Sequence, residues 1–327
     1  MRIGYLDGAR LRRSLIAGCD YVQRQRAELN RINVFPVPDG DTGTNLALTA
    51  SAIAEALRRN REDGVDRVAY LAADAAILGA RGNCGMILSH YLLGFSQGID
   101  TRSRLDTPAF GAAMRTAVDH VYRSLEHPVE GTIVTVMREV AEEAESAGTP
   151  DFADLLEQLL ARASDALART TEMLPALKAA GVVDAGAMGF VNLIEGVAGY
   201  MRGDPFVPLP TSAPYEAAVA AAVEYPAESE RFRYCTEALV RGATLPDSSE
   251  VRNRLRERGD SLIVIRGTDV LKIHVHTDTP EEVFSYLRSL GKLVAHKAED
   301  MAAQHRAIER AAAAHVRLAR RPVSLVT

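Results

Sequence analysis

The chain contains no tryptophan, and aromatic residues make up only 6% of its 327 positions. A core short of large rings is filled by alanine and aliphatic side chains, which favours closely packed helices over much of the length. Three cysteines, Cys19, Cys84 and Cys235, stand far apart, too few and too scattered for a disulfide framework. No apolar run approaches the ~20 residues that span a bilayer, and Met1 to Asp7 has no apolar core of a signal peptide. The chain therefore reads as cytoplasmic. It also lacks a basic excess: 38 Lys and Arg against 43 Asp and Glu give a net charge of −5, which argues against nucleic acid as a partner. What is abundant is hydrophobic residue, 47% of the chain, enough for a large core and, at this length, for two domains.

Helical periodicity dominates the first 200 residues. Leu11, Leu15, Cys19, Val22 and Leu29 form one stripe, and Leu46, Ala50, Ile53 and Leu57 the next. Further helical segments fall near 65–79, 84–97, 107–125, 132–147, 151–173 and 186–202. Eight helices with short connections predict an antiparallel bundle or barrel over residues 1–203. Glycines gather at the junctions, at Gly40, Gly43, Gly82, Gly85, Gly131 and Gly186. In an antiparallel arrangement every second junction lies at the same end.

Five of the fourteen prolines then fall within 22 residues, Pro205 to Pro226, so 204–230 reads as a linker. After it the pattern turns to short apolar or alternating runs, Phe232 to Val240, Ser261 to Ile265, Val270 to Val275 and Leu293 to His296. Helical segments lie between them at Ser249 to Arg258 and Pro280 to Leu290, with another predicted from Ala298 to about Leu318. This split βαβ order predicts a small α/β domain over 231–318 with its helices on one sheet face. Residues 319–327 read as the start of a further strand.

The stretch with most chemistry is Asn33 to Asn45, NVFPVPDGDTGTN. It places Asp39 and Asp41 two residues apart on a loop bent by proline and glycine, just before a helix. Two carboxylates so close repel unless a cation sits between them. Hard oxygen ligands suit Mg²⁺, which completes its shell with water and substrate phosphates. The glycines admit an anion to the backbone N–H groups, and the positive end of the following helix faces it. The loop thus reads as a site for a magnesium–nucleotide complex, with Thr42, Thr44 and Asn45 at the helix entry.

This run resembles the nucleotide loop of the DhaL-like family, the ATP/ADP-binding subunits of dihydroxyacetone kinases. Its form is similar to that of the FakA-type ATP-binding components of bacterial fatty acid kinase. The resemblance extends through Arg81-Gly82-Asn83-Cys84-Gly85, Glu130-Gly131-Thr132 and Val183-Asp184-Ala185-Gly186-Ala187. It resumes at Tyr234-Cys235-Thr236-Glu237 and His274-Val275-His276-Thr277. It implies a DhaL-like helical barrel whose motif loops converge on one nucleotide. Asn83, Cys84 and Gly85 match a second phosphate-contacting turn, in which backbone N–H groups do the work. The family commonly has serine where this chain has Cys84. Thr132 and Asp184 match the remaining nucleotide-facing motifs, Asp184 either binding ribose or bracing its loop. DhaL-like sites use a third acid upstream of the pair, where this chain has Asn33; its amide either ligates the metal or caps a helix. Lys178 either offsets phosphate charge or is a solvated surface lysine.

In the second domain, His274 and His276 alternate along a strand and project to one face. With Cys235 from an earlier strand they form a thiolate-and-imidazole set that suits Zn²⁺, with a fourth position open. The resemblance matches these three to the metal-binding positions of the FakA middle domain. It also implies a following DegV-like domain, and the chain stops where that domain would begin. The expected function is ATP-dependent phosphorylation of a fatty acid carboxylate presented by a FakB-like carrier protein. A carboxylate is already anionic at neutral pH, so no general base is needed. Three alternatives stand beside it: a nucleotide-binding component of a dihydroxyacetone or triose kinase, a non-catalytic module in which bound nucleotide and zinc only regulate a partner, and a zinc hydrolase centred on Cys235, His274 and His276. A homodimer through the second or a following domain is a further expectation.

Overall fold

Among the described residues, ten helices fold the first part of the chain because their apolar stripes have one interior to share. The computed structural model describes residues 2–36, 38–204, 231–301 and 303. The helices are α1 (Gly8–Arg24), α2 (Arg26–Arg31), α3 (Thr42–Arg59), α4 (Val65–Gly79) and α5 (Gly82–Ile99), followed by α6 (Thr107–Ser124), α7 (Ile133–Ser146), α8 (Phe152–Met173), α9 (Pro175–Ala180) and α10 (Ala185–Arg202). Eight are long. Each long helix packs on the next, α1 on α3, α3 on α4 and so on to α8 on α10, and α10 packs back on α1. The result is the closed antiparallel barrel of eight helices that the periodicity predicts.

Two short helices depart from the expected eight. The stripe from Leu11 to Leu29 is broken at Gln25, which ends α1 and starts α2, although Leu11, Cys19, Val22 and Leu29 are all buried. Pro175, with no N–H to lose at a helix start, opens the short α9. Barrel closure depends on small residues. Gly18 of α1 and Gly196 of α10 lie so close that a Cβ on either would sit 2.7 Å from a backbone atom of the other helix. A two-stranded pairing of β1 (Leu6–Asp7) with β2 (Arg104–Leu105) ties the N-terminal segment to the α5–α6 connection.

The second part is β3 (Tyr234–Arg241), α11 (Ser248–Leu255), β4 (Gly259–Arg266), β5 (Val270–Thr277), α12 (Pro280–Leu290) and β6 (Lys292–Asp300). The sheet order is β4-β5-β3-β6 and every pairing is antiparallel, the ferredoxin-like arrangement of a split βαβ unit. Ala238, Val240, Val264, Leu271, Ile273 and Val275 form one sheet face and bury Val251 and Leu255 of α11 and Val283, Phe284 and Leu287 of α12. Strand alternation sends Leu239, Ile263, Ile265 and Val270 the other way, onto Ile77, Ala80 and Met86 of the barrel. Helices cover one face and the barrel covers the other.

The helix expected from Ala298 is corrected at its start. Ala298, Glu299 and Asp300 pair with Thr236, Cys235 and Tyr234, so β6 runs three residues into it. The ladder to β3 outweighs the helical preference of an Ala-Glu pair. The rest of that expected helix, the predicted linker from residue 205 and the expected strand at 319–327 lie outside the described residues, apart from 301 and 303.

Candidate functional site

The carboxylate loop is anchored from behind by two asparagines. Asn30, at the end of α2, accepts the Thr44 N–H at 3.0 Å through Oδ1 and donates from Nδ2 to Thr44 Oγ1 at 3.0 Å. Asn33 Oδ1 accepts the Thr42 N–H at 2.8 Å. Both asparagines are 2% exposed. They satisfy N–H groups that the first turn of α3 leaves without helical partners. Gly43 lets α2 come this close, since a Cβ there would lie 2.2 Å from the Arg26 carbonyl oxygen. Asn33 thus secures the start of α3 rather than the end of α2, and its side chain also borders the cavity beside the loop. The Thr44 hydroxyl is committed to Asn30.

Asp39 and Asp41 border the same cavity. The Asp41 N–H donates to Asp39 Oδ1 at 3.3 Å, which folds the loop so that both side chains point one way. Burial, reinforced by the Asp41 charge, holds the Asp39 carboxyl well above its ordinary range. Burial raises Asp41 too, against hydrogen bonds from Asn45 and Asp39. Two carboxylates in this condition call for a shared proton or a cation, and hard oxygen donors beside amides fit Mg²⁺.

The N-termini of α3, α5, α7 and α10 all open at this end of the barrel. Asp41, Asn83 and Cys84 border one cavity, and Asn83, Cys84, Thr132, Ile133 and Asp184 border a second that adjoins it. Four helix ends directed at one place make a strongly anion-favouring mouth. Asp184 holds two of them. Its Oδ2 accepts the Ala187 N–H at 2.7 Å, and its carboxylate also receives hydrogen bonds from the backbones of Ile133 and Gly186. Burial nevertheless raises its pKa to about 6. Of the two roles open to Asp184, the geometry displays the brace. The Thr132 hydroxyl donates to the Val129 carbonyl at 2.7 Å. Gly85 is required for packing, since a Cβ there would lie 2.5 Å from Thr49 Oγ1.

Cys84 shares a side-chain hydrogen bond with Thr42, and burial together with the Asp184, Asp41 and Asp39 charges pushes its thiol far up. A thiol so unwilling to ionise is no nucleophile. Lys178 pairs with Glu172 at 2.5 Å on the surface, the solvated-lysine alternative.

The sheet brings its own chemistry to the same place. Cys235 and Glu237 on β3 stand opposite His276 and His274 on β5, and opposite Glu299 and Lys297 on β6. Odd positions of β3 face the barrel, so all six lie on the barrel side of three adjacent strands. The ligand atoms of Cys235, His274 and His276 fall within 4.8 Å of one another. Burial would lower the His274 pKa, yet the Cys235 sulfur and the Glu237 carboxylate outweigh it and leave the pKa at about 10. Burial and the His274 charge hold His276 at about 3. One positive charge is therefore welcome at this cluster, and His274 Nε2 is buried with no hydrogen-bond partner. A thiolate and two imidazoles within reach of one another fit Zn²⁺ as the bearer of that charge.

Two features escaped sequence reasoning. Glu237 Oε1 accepts the Gly82 N–H at 2.6 Å, a direct bond from the sheet to the α5 turn. It also lies 3.4 Å from His274 Nδ1. Second, Cys235, His274, His276, Lys297 and Glu299 border the very cavity bordered by Asp39 and Asp41. The adjoining cavity, about 450 Å³, is walled on the sheet side by Arg231, Arg256 and Asp260. Alternation from Cys235 to Glu237 was the available signal for the shared strand face, but the apposition itself needs the docked sheet.

A closed eight-helix barrel whose helix N-termini ring a paired-carboxylate loop, with a ferredoxin-like sheet set over that mouth, is the architecture of a DhaL-like protein with an added Cys/His-bearing domain. The chain belongs to that family. Residues 36–199 match the DAK2 domain, and residues 231–308 match the FakA-like middle domain of fatty acid kinase. Protein YloV of Bacillus subtilis is 34% identical over 320 residues, covering 94% of this chain and 58% of YloV. A Staphylococcus saprophyticus protein is 32% identical over 315 residues, covering 94% of this chain and 57% of its own length. The chain thus spans a little under three-fifths of the length of these relatives. Among solved structures, the dihydroxyacetone kinase of C. freundii in complex with AMP-PNP and Mg²⁺ aligns with a TM-score of 0.47 at 16% identity, over 59% of this chain and 34% of that one.

Proposed function

We propose that this chain is the nucleotide-binding component of a kinase that phosphorylates the carboxylate of a fatty acid held by a FakB-like carrier. The observation that carries the reading is the meeting of Asp39 and Asp41 with Cys235, His274 and His276 across one cavity. ATP would lie with its nucleoside in the larger cavity, near Thr132 and Asp184, and its phosphates towards Asn83, Gly82 and the carboxylate loop. Asp39 and Asp41, with Asn33 beside them, would hold Mg²⁺, which would supply charge neutralisation to the phosphates. Cys235, His274 and His276 would hold Zn²⁺.

The chain's own residues bind, orient and neutralise. Thr42, Asn45, Asn83 and the backbone at the four helix ends offer donors to phosphate oxygens, and Glu237 fixes the α5 turn relative to the sheet. Acceptance by a carboxylate requires no base, which suits a cavity mouth whose carboxylates are spoken for by metal. The match of 231–308 to the FakA-like middle domain favours this acceptor over dihydroxyacetone. The Cys/His cluster shares its cavity with the nucleotide loop instead of having a cleft of its own, which disfavours the separate zinc hydrolase. The test is incubation with ATP, Mg²⁺ and either carrier-bound fatty acid or dihydroxyacetone. Acyl phosphate, trapped as hydroxamate, is expected. Triose phosphate without acyl phosphate would overturn the acceptor, and neither product despite tight ATP binding would favour the regulatory module.

A further inference from the structure

We infer that Lys297 is a catalytic residue, the cation that meets the transferring phosphoryl group. The inference rests on the nucleotide reading above and adds to it a residue from the sheet domain. In phosphoryl transfer, charge is carried by the three peripheral oxygens of the group in flight, and efficient sites set a fixed Lys or Arg against them in addition to divalent metal. Among the described residues, the barrel side of the cavity at Asp39 and Asp41 offers none: from Asn33 to Cys84 its wall holds carboxylates, amides, a hydroxyl, a thiol, the apolar Phe35 and Pro36, and backbone. Lys297 is the one Lys or Arg among the described residues bordering it.

Its placement is built by the sheet. Lys297 stands opposite Glu237 in the β3–β6 register, and Glu237 stands opposite His274 in the β3–β5 register. Lys297 Nζ is 2.7 Å from Glu299 Oε2 and 3.8 Å from Glu237 Oε2. Glu237 in turn accepts the Gly82 N–H at 2.6 Å, so the ammonium is referenced to the phosphate turn through one carboxylate. Glu237 Oε2 is buried without a hydrogen-bond partner, so among the described residues Glu237 adds a longer ion pair and the hydrogen bond of the lysine goes to Glu299. Its side chain keeps 33% of its surface exposed, so it can exchange that contact for a phosphate oxygen without unfolding anything.

The step is balanced without a proton. An acceptor carboxylate oxygen bonds to the γ-phosphorus, the bond from that phosphorus to the β–γ bridging oxygen breaks, and the electron pair leaves on ADP. The peripheral oxygens gain their strongest need for N–H donors midway, and Lys297 carries three.

The test measures binding of ADP·Mg²⁺ with and without fluoroaluminate, a mimic of the planar phosphoryl group, to the whole chain and to Lys297→Met and Lys297→Arg. The parent should bind ADP more tightly with fluoroaluminate. Lys297→Met should lose that gain by about tenfold or more while its ADP affinity changes little, and its phosphoryl transfer should fall ~10²-fold, the usual cost of one preorganised donor. Lys297→Arg should recover part of both. An unchanged melting temperature checks folding, as expected for a partly exposed position on an edge strand. Full fluoroaluminate gain in Lys297→Met, or no gain in a parent that binds ADP·Mg²⁺, overturns the role of Lys297 alone. Failure of the parent to bind ADP·Mg²⁺ overturns the nucleotide reading and this inference with it.

Discussion

Replacing Asp184 by asparagine should make the nucleotide-free protein more stable relative to the parent at pH 8 than at pH 4. The carboxyl is 4% exposed, and burial raises its pKa from 3.8 to about 6 despite hydrogen bonds from Ala187, Ile133 and Gly186. A folded-state pKa above the unfolded value means the native protein binds the proton more tightly. The contribution of this group to stability is therefore greatest below about pH 4 and is lost as pH rises through about 6. A pKa raised by about two corresponds to ~3 kcal/mol at neutral pH, since a tenfold change in proton affinity is about 1.36 kcal/mol. Asparagine caps a helix about as well as aspartate, so Asp184→Asn should keep the Ala187 bond and remove the buried charge, while its NH₂ group cannot accept from Ile133 or Gly186, a pH-independent cost of about 1–3 kcal/mol. Relative to the parent, the variant should therefore gain about 3 kcal/mol between pH 4 and pH 8, several degrees in melting temperature for a domain of this size. Paired thermal or urea denaturation of parent and variant at pH 4, 6 and 8 reads the difference, which cancels the other carboxylates. A difference between variant and parent that does not change between pH 4 and pH 8 would refute the argument.

Cys235→Ser should lower a zinc content of about one per chain and lower the melting temperature, because metal bound by the native state alone stabilises it; zinc-free parent protein of normal stability would remove the metal from this cluster. Cys84→Ser should bind ATP at least as well as the parent in calorimetry, since the thiol is held protonated and only the backbone of its turn is asked to meet phosphate. Gly43→Ala should weaken ATP binding and cost at least ~1–3 kcal/mol of stability, because the added Cβ would force Arg26 and Asn30 back from α3; urea denaturation and calorimetry on the same sample check both.

The barrel was legible because its helices repeat with clean stripes, and the carboxylate loop because Asp, Gly and Pro have specific local consequences. His274 and His276 were readable as one face through the period-two rule, and Cys235 joined them through the family resemblance. Asn30 was not readable as an anchor: its partner, Thr44, lies across a loop whose path periodicity does not describe. The breaks at Gln25 and Pro175 are local departures within otherwise helical patterns. The helix predicted from Ala298 failed at its start because pairing with β3 extends β6 through Asp300, a long-range interaction that overrides local propensity. The placing of Glu237 and Lys297 at the nucleotide loop has the same origin. Strand order β4-β5-β3-β6 sets them side by side, and docking of Leu239, Ile263 and Ile265 on Ile77 and Met86 turns them into the barrel mouth. Neither step leaves a trace in residue spacing.

The most direct test of the account is calorimetric titration of ATP into the parent, Asp39→Ala and Asp41→Ala, each with and without Mg²⁺. Both carboxylates lie on a loop outside the core, so both variants should fold normally. The account predicts Mg²⁺-dependent binding by the parent and its loss in each variant. Affinity unchanged in both, with folding intact, would contradict it.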